Sequence, residues 1–384
     1  MSIYLDSGAT TRLHPGVLDA MMPFLAGQWH SPAGAYRSSV RVRDAVEQAR
    51  SEVADLIGAI PEEIVFTSGG TEANNTALKS LAREVGRTHS KIVISAVEHR
   101  AVSRPVAAMR AVGFEVEQAA VEADGRLDLE AFSTSVDRTR PGFASVMWAN
   151  DGTGVLQPLA EVAGVVKGAG WFLHSDAIAA AGRVKVRVGE VAVDFLTLSA
   201  HKFHGPKGVG ALYIRGGTPF EPMMRGCGQE GGRRGGAENV AAIVGFGAAA
   251  VLAGEALANG TYDRVEALRN RFEDGLEAGL EDGTNRVQRN GSREHRTGTV
   301  ANVSIAGCRA ADLVPALDEA GIECAGCGGE LVGKELEWDP LKAMGCDQDR
   351  VQNAVRFSLS LFTTEEEIDE AVRRVVATVK RLSN

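Results

Sequence analysis

Cysteine is scarce in this chain of 384 residues: there are five, Cys227, Cys308, Cys324, Cys327 and Cys346. So odd and thin a set does not build a disulfide framework, and reduced thiols in a cytosolic protein are the expectation. Basic charge is not in excess either. The formal net charge of −9 gives no support to a cationic nucleic-acid face. No apolar run of membrane length stands out, and Met1-Ser-Ile-Tyr-Leu-Asp6 lacks the basic and apolar regions of a secretory signal. Internal repeats and low-complexity tails are missing. Beyond Cys324-Ala-Gly-Cys327 there is no second Cys-x-x-Cys and no His-x-His, so metal-ligand spacing is absent and no metal is expected. What is present is an ordinary globular balance, 44% apolar and 24% charged residues, in a chain long enough for two domains.

Apolar runs alternate with helical patterns through the first two thirds of the chain. A buried strand ending at Thr67 runs into Ser-Gly-Gly70 and a helix, and strands follow over 91–96, 114–116, 144–149, 171–175 and 194–199. Helical spacing over 102–111 and 159–169 separates some of them. Continuous apolar strands between helices imply a mostly parallel sheet covered on both faces. In such a sheet, sites form beyond the carboxyl ends of the strands. There the sequence puts Thr67 to Thr71, Glu98-His99, Asn150-Asp151, Asp176 and Lys202, which can meet in one crevice. Helices over 240–257 and 262–280, a strand over 300–305, a helix over 311–320, a strand over 355–360 and a helix over 365–382 suggest a smaller α+β domain.

The densest chemistry lies in Ser199-Ala-His-Lys-Phe-His-Gly-Pro-Lys-Gly208. A lysine at the end of a buried strand is pushed toward its neutral form, which suits Schiff-base chemistry. Neighbouring hydroxyls, imidazoles and glycines suit a phosphate. Together they suggest pyridoxal phosphate with Lys202 as its anchor; the plainer alternative is a solvated surface turn.

Seven segments in order then resemble one family over nearly the whole length, the cysteine desulfurases of the class-V aminotransferase superfamily, fold-type I pyridoxal-phosphate enzymes. They are Tyr4-Leu-Asp6 with Ala9-Thr-Thr11, Thr67-Ser-Gly-Gly-Thr-Glu72, Glu98-His-Arg-Ala-Val102, His174-Ser-Asp-Ala177, the Lys202 stretch, Gly228-Gln-Glu230 with Arg234, and Val355-Arg-Phe-Ser-Leu359. The resemblance implies a large domain with a mostly parallel seven-stranded sheet over 16–258, a small α+β domain over 259–384, and an arm over 1–15 that joins the small domain. It also implies roles. Lys202 would anchor the cofactor and then move protons at the substrate Cα, His99 would stack on the pyridine face, and Asp176 would pair with the pyridinium nitrogen. Gly70, Thr71, Ser199 and His201 would cup the phosphate, and Asn150 would lie beside the ring. Arg356 would grip the substrate carboxylate with its planar fork.

By the same resemblance the nucleophile is Cys327, in a loop within Gly321-Ile-Glu-Cys-Ala-Gly-Cys-Gly-Gly-Glu330. The residues alone leave three readings of the Cys324 and Cys327 pair open: two incidental thiols, a redox or metal pair, or one nucleophile with a bystander. Four departures from the family stand out. Ala179 replaces a Gln that donates to the cofactor's phenolic oxygen, and Asp151 replaces the second Asn of Asn-Asn-Glu. Ala237 replaces a Thr lent to the neighbouring subunit, and Ser31-Pro-Ala-Gly-Ala-Tyr36 replaces Asn-Pro-Ser-Ser-x-His. The implied protein is a cytoplasmic homodimer that takes L-cysteine to L-alanine and passes sulfur from a Cys327 persulfide to an acceptor protein. The branch that feeds bacterial DNA phosphorothioation is the most similar. An aminotransferase, a selenocysteine lyase or a cofactor-bearing scaffold without turnover are the alternatives.

Overall fold

The structure is a computed structural model that describes residues 2–281, 286–327 and 339–383. In chain order its first elements are β1 (Ile3–Tyr4), α1 (Pro15–Ala26), α2 (Arg37–Ile57), β2 (Ile64–Thr67), α3 (Gly70–Val85), β3 (Lys91–Ser95), α4 (Arg100–Ala111) and β4 (Glu115–Ala119). There follow α5 (Leu129–Ser135), β5 (Gly142–Ser145), α6 (Leu159–Gly168), β6 (Phe172–Asp176), β7 (Phe195–Ser199), β8 (Gly210–Ile214), α7 (Val240–Ala258) and α8 (Thr261–Leu280). The rest comprises β9 (Val287–Arg289), β10 (Val300–Ile305), α9 (Ala310–Glu319), β11 (Ile322–Glu323), β12 (Ala325–Gly326), α10 (Pro340–Ala343), α11 (Gln348–Gln352), β13 (Ala354–Ser358) and α12 (Glu365–Leu382).

Seven strands form the main sheet in the order β2-β8-β7-β6-β5-β3-β4. Strand β8 is antiparallel to both neighbours and every other pairing is parallel. The α/β fold with a mostly parallel sheet is therefore as expected. Its strands divide their side chains by strict alternation. Ile64, Phe66, Val93, Ala144, Leu196 and Leu198 enter one apolar cluster with residues of α2, α6 and α7. Val65, Ile92, Ile94, Phe143 and Phe195 enter another with residues of α3 and α4. Two covered faces explain why the strands read as unbroken apolar runs.

A second antiparallel sheet, β12-β13-β10-β9, packs with α8, α9 and α12 around Phe272, Leu313, Phe357 and Val375. Ile3 and Leu5 belong to this cluster because β1 pairs in parallel with β11, Ile3 opposite Ile322 and Tyr4 opposite Glu323. Helix α12 illustrates how local chemistry sets these bounds. Thr364 and Glu367 close a capping box, three glutamates occupy the first turn, and Lys380 and Arg381 the last.

Two expectations need correction. Helix α7 is long and apolar enough to cross a membrane, but it is a core helix, with Ile243, Phe246 and Ala249 buried against the main sheet. The strand expected over 144–149 ends at Ser145. Beyond it Val146 and Trp148 still donate to β6 carbonyls before the chain turns at Asn150. Cys327 directly follows β12 and belongs to no helix or strand; its N–H donates to Ala354 O at 2.9 Å. Gly328 to Glu330, the end of that glycine-rich stretch, lie outside the described residues.

Candidate active site

Strand β7 stops at Ser199 and a single tight turn, Ala200–Lys202, delivers the lysine. The turn is clamped from the N-terminal arm. Thr11 donates to His201 O from both its N–H, at 2.9 Å, and its Oγ1, at 3.0 Å, and that hydroxyl accepts from His204 N at 2.6 Å. His204 can thus hold a φ of +68°, a left-handed conformation costly for a residue with a side chain. The buried Arg183 guanidinium grips the same turn, donating to Lys202 O at 2.9 Å and Ser7 O at 2.8 Å. Lys202 Nζ donates to Gly8 O and Ala9 O. Burial pulls its pKa down from 10.5 to about 8, with Arg183 and Arg356 adding to the effect and Asp151 and Asp176 opposing it.

Lys202 opens onto a cavity of about 210 Å³ lined by Gly70, Thr71, His99, Asp151, Asp176, Ile178, Ala179, Ser199 and His201, among others. At one end α3 begins without a side-chain cap, so its first N–H groups have no partner within the helix. Gly70 lets Ile178 pack close there: a Cβ would lie 2.0 Å from Ile178 Cδ1 and push that side chain aside. Elsewhere in the lining Asp176 ends β6, its carboxylate accepting from Asn74 Nδ2 at 2.7 Å and Ile178 N at 2.9 Å. Burial raises its pKa, with the charge of His99 opposing. A buried carboxylate of this kind is matched by a cationic N–H donor. His99 caps α4 by accepting from Ala101 N through Nδ1 at 3.0 Å, which leaves Nε2 as its proton-bearing nitrogen. His201 pairs with Thr10 Oγ1 at 3.2 Å, and burial takes it down to about 4, so at neutral pH it offers an uncharged ring.

Asn150 does not line this cavity, which corrects its expected place beside the ring. Its amide is spent on the turn, donating to Val97 O and accepting from Gly152 N, Thr153 N and Thr153 Oγ1. Asp151 faces inward instead. The charges of His99, Lys202 and Arg356 outweigh its burial and hold its pKa below the usual value.

A second cavity, of about 280 Å³, contains Cys327, Arg356, Asn302 and Asp339, and it shares His99 and Asp151 with the first. Arg356 donates to Asp6 Oδ1 at 2.7 Å and to Asp151 O at 3.2 Å, while its buried Nε has no partner among the described residues. Gly8 lies against it: a Cβ there would come within 3.2 Å of Arg356 Nε. Burial pushes the Cys327 thiol up to about 11, with Arg356 opposing. Cys324 packs instead on the core of the smaller sheet. Residues three apart on an extended chain lie roughly 10 Å apart and point to opposite faces. A disulfide needs Cα atoms within about 7 Å, so this pair does not close one here. Among the described residues no group of His, Cys, Asp and Glu is arranged to hold a metal.

The class-V aminotransferase model matches residues 3–371. A cysteine desulfurase of Bradyrhizobium diazoefficiens is 42% identical over 99% of this chain and 95% of its own. The chain belongs to the cysteine desulfurases of the class-V aminotransferase family. A solved NifS-like protein superposes on this desulfurase with a TM-score of 0.92 at 32% identity, covering 99% of this chain and 100% of its own. DndA from Streptomyces lividans gives 0.76 at 31% identity over 93% and 99%. The activity is therefore conversion of cysteine, and the family depends on pyridoxal phosphate.

The residues present fit that cofactor. An amine, an uncapped helix start beside a hydroxyl and an imidazole, and a buried carboxylate surround one cavity. Ala179 leaves part of that wall apolar, so no side-chain donor stands at its position. Several supporting residues went unread in the sequence: Asn74, Arg183, Asn302 and the carbonyls of Gly8 and Ala9. Asn74 alone carried a signal, since it lies one helical turn past the Gly69-Gly70 motif.

Proposed function

We propose that this desulfurase works through Lys202, Asp176 and His99 around the cofactor and through Arg356 and Cys327 on the substrate. One observation carries this reading: the Lys202 cavity and the Cys327 cavity share His99 and Asp151, so amine and thiol open onto a common space. Bound pyridoxal phosphate supplies an electron sink for the substrate's Cα. Asp176 would hold a proton on its ring nitrogen, His99 would stack on its face, and Gly70, Thr71, Ser199 and His201 would receive its phosphate. Arg356 uses the N–H groups not given to Asp6 and Asp151 to orient the substrate carboxylate. Lys202 would remove the substrate's Cα proton and later return one. The Cys327 thiolate attacks the substrate Sγ: the Cβ–Sγ bond breaks, an S–S bond forms, and the proton given up by the Cys327 thiol balances the one taken up at Cβ. The products are L-alanine and a persulfide on Cys327.

Cys327→Ser should end alanine formation from cysteine and keep the cofactor's visible absorbance, and Lys202→Ala should lose that absorbance. Turnover by Cys327→Ser overturns the reading.

Three wider points belong with it. The two core clusters part near residue 258, which supports a large domain over 16–258 and a small one over 259–384 with the arm attached. A homodimer fits the exposed apolar Leu18, Met22, Leu25 and Trp29 along and beyond α1; light scattering should give twice the chain mass. Sulfur then leaves to an acceptor protein in a reducing cytosol, where the five free thiols persist. The likeness to DndA and the departures at Asp151, Ala179 and Ala237 favour the DNA phosphorothioation branch.

A further inference from the structure

We propose that Asn302 is a positioning residue for the sulfur chemistry, its amide locked with the N–H side against Cys327 Sγ. The inference rests on Cys327 being the sulfur acceptor. Asn302 lies on β10, fully buried, and no part of it touches the Lys202 cavity. Its Nδ2 donates to Cys327 Sγ at 3.2 Å and to Gly152 O at 3.0 Å. A strut behind it sets that orientation. Arg350 donates from Nε to Asn290 Oδ1 at 2.7 Å and from Nη2 to Arg289 O at 2.9 Å. Asn290 Nδ2 then donates to Asn302 Oδ1 and to Ser304 Oγ, both at 2.8 Å, and Ser304 Oγ donates to Arg350 O at 2.7 Å. Turning the Asn302 amide over would set two N–H groups face to face and leave a carbonyl against sulfur, so the network admits one orientation.

A fixed donor does little for a neutral thiol and much for a thiolate or persulfide anion. Charges of both signs face this sulfur. Arg356 on β13 favours the anion, Asp151 and Asp339 oppose it, and Glu98, His99 and Arg100 stand across the cavity. The Asn302 donor acts with Arg356 against burial and these carboxylates, and it is the one that touches the sulfur. The same amide holds the carbonyl that follows Asp151, so one side chain registers the sulfur-bearing strand against the loop that reaches Lys202.

The test is alkylation of Cys327 in the holoenzyme by iodoacetamide across a pH series, read at that residue by peptide mass spectrometry. Asn302→Ala should slow it about tenfold near neutral pH, as expected for losing a hydrogen bond to a charged group, and move the midpoint upward. Asn302→Asp should slow it further, because a carboxylate repels the thiolate. Asn302→Ser keeps a donor and should recover part of the rate. Asn290→Ala does not touch sulfur but frees the amide to turn, and should fall between wild type and Asn302→Ala. The cofactor's absorbance and the unfolding temperature report whether each variant is folded. Wild-type alkylation rates in folded Asn302→Ala, or in Asn302→Ser and Asn290→Ala should the first not fold, would overturn the proposal. Turnover by Cys327→Ser would instead remove the role of Cys327, whatever the alkylation rates.

Discussion

A lysine that attacks an aldehyde must first lose its proton, and at Lys202 burial does that work. With a pKa near 8 against 10.5 for a solvated lysine, the folded protein releases this proton first, so stability gained from deprotonation rises between those values and is absent below them. The shift corresponds to a cost on the order of 3 kcal/mol at low pH, which the carbonyls of Gly8 and Ala9 help to offset. Cofactor-free enzyme should capture pyridoxal phosphate faster as pH rises from 7 to 9 and level off above it, as stopped-flow absorbance would report. An unchanged rate across that range would mean that the amine is not the limiting group. At the other end of the substrate, Gly8 leaves Arg356 its room. Gly8→Ala should raise KM for cysteine several-fold with the cofactor spectrum unchanged, because a Cβ crowds Nε and the carboxylate fork turns.

Among the elements, the loop between β8 and α7 depends most on a single contact. Glu230, at a φ of +51°, buries its carboxylate against Arg50 of α2 at 2.6 and 2.9 Å and accepts from Phe66 N at 2.8 Å. Glu230→Ala leaves the buried Arg50 with Glu47 and Ile64 O alone and deprives Phe66 N of its acceptor, and should cost about 3 kcal/mol by denaturant unfolding. Pairing it with Arg50→Met should recover most of that loss. The sequence had shown Glu230 only as part of a familiar triplet in what read as a surface loop, since nothing local announces a partner 180 residues away. Elements with strong periodicity were legible: α12 was read at its observed bounds, and β2 to β8 within a few residues. Those missed, α5, α10, α11, β9, β11 and β12, are short, and two-residue strands such as β11 and β12 exist only through pairing with β1 and β13. The site was legible where a motif carried it, as at Lys202, Asp176 and Arg356. It was not where side chains from distant strands meet, as with Asn302 and Asn290, or where neighbours exchange places, as with Asn150 and Asp151.

Across the whole molecule, the arm ties the two sheets together at the site. Tyr4 pairs beside Glu323, Asp6 holds Arg356, and Gly8 to Thr11 hold the Lys202 turn. Removing residues 2–6 should lower the unfolding temperature and raise KM for cysteine together, whereas loss of a dispensable tail changes neither. The sheet order has a further consequence for how the protein is made on the ribosome. Strand β2 has β8 as its sheet neighbour, and α2 packs chiefly on α7, so the region that leads up to the phosphate cup waits for residues 210–258 to emerge. The arm waits longer still, for Ile322. The segments translated first are thus among the last to be secured, and a nascent chain halted at residue 205 should be cut readily by protease between 37 and 70.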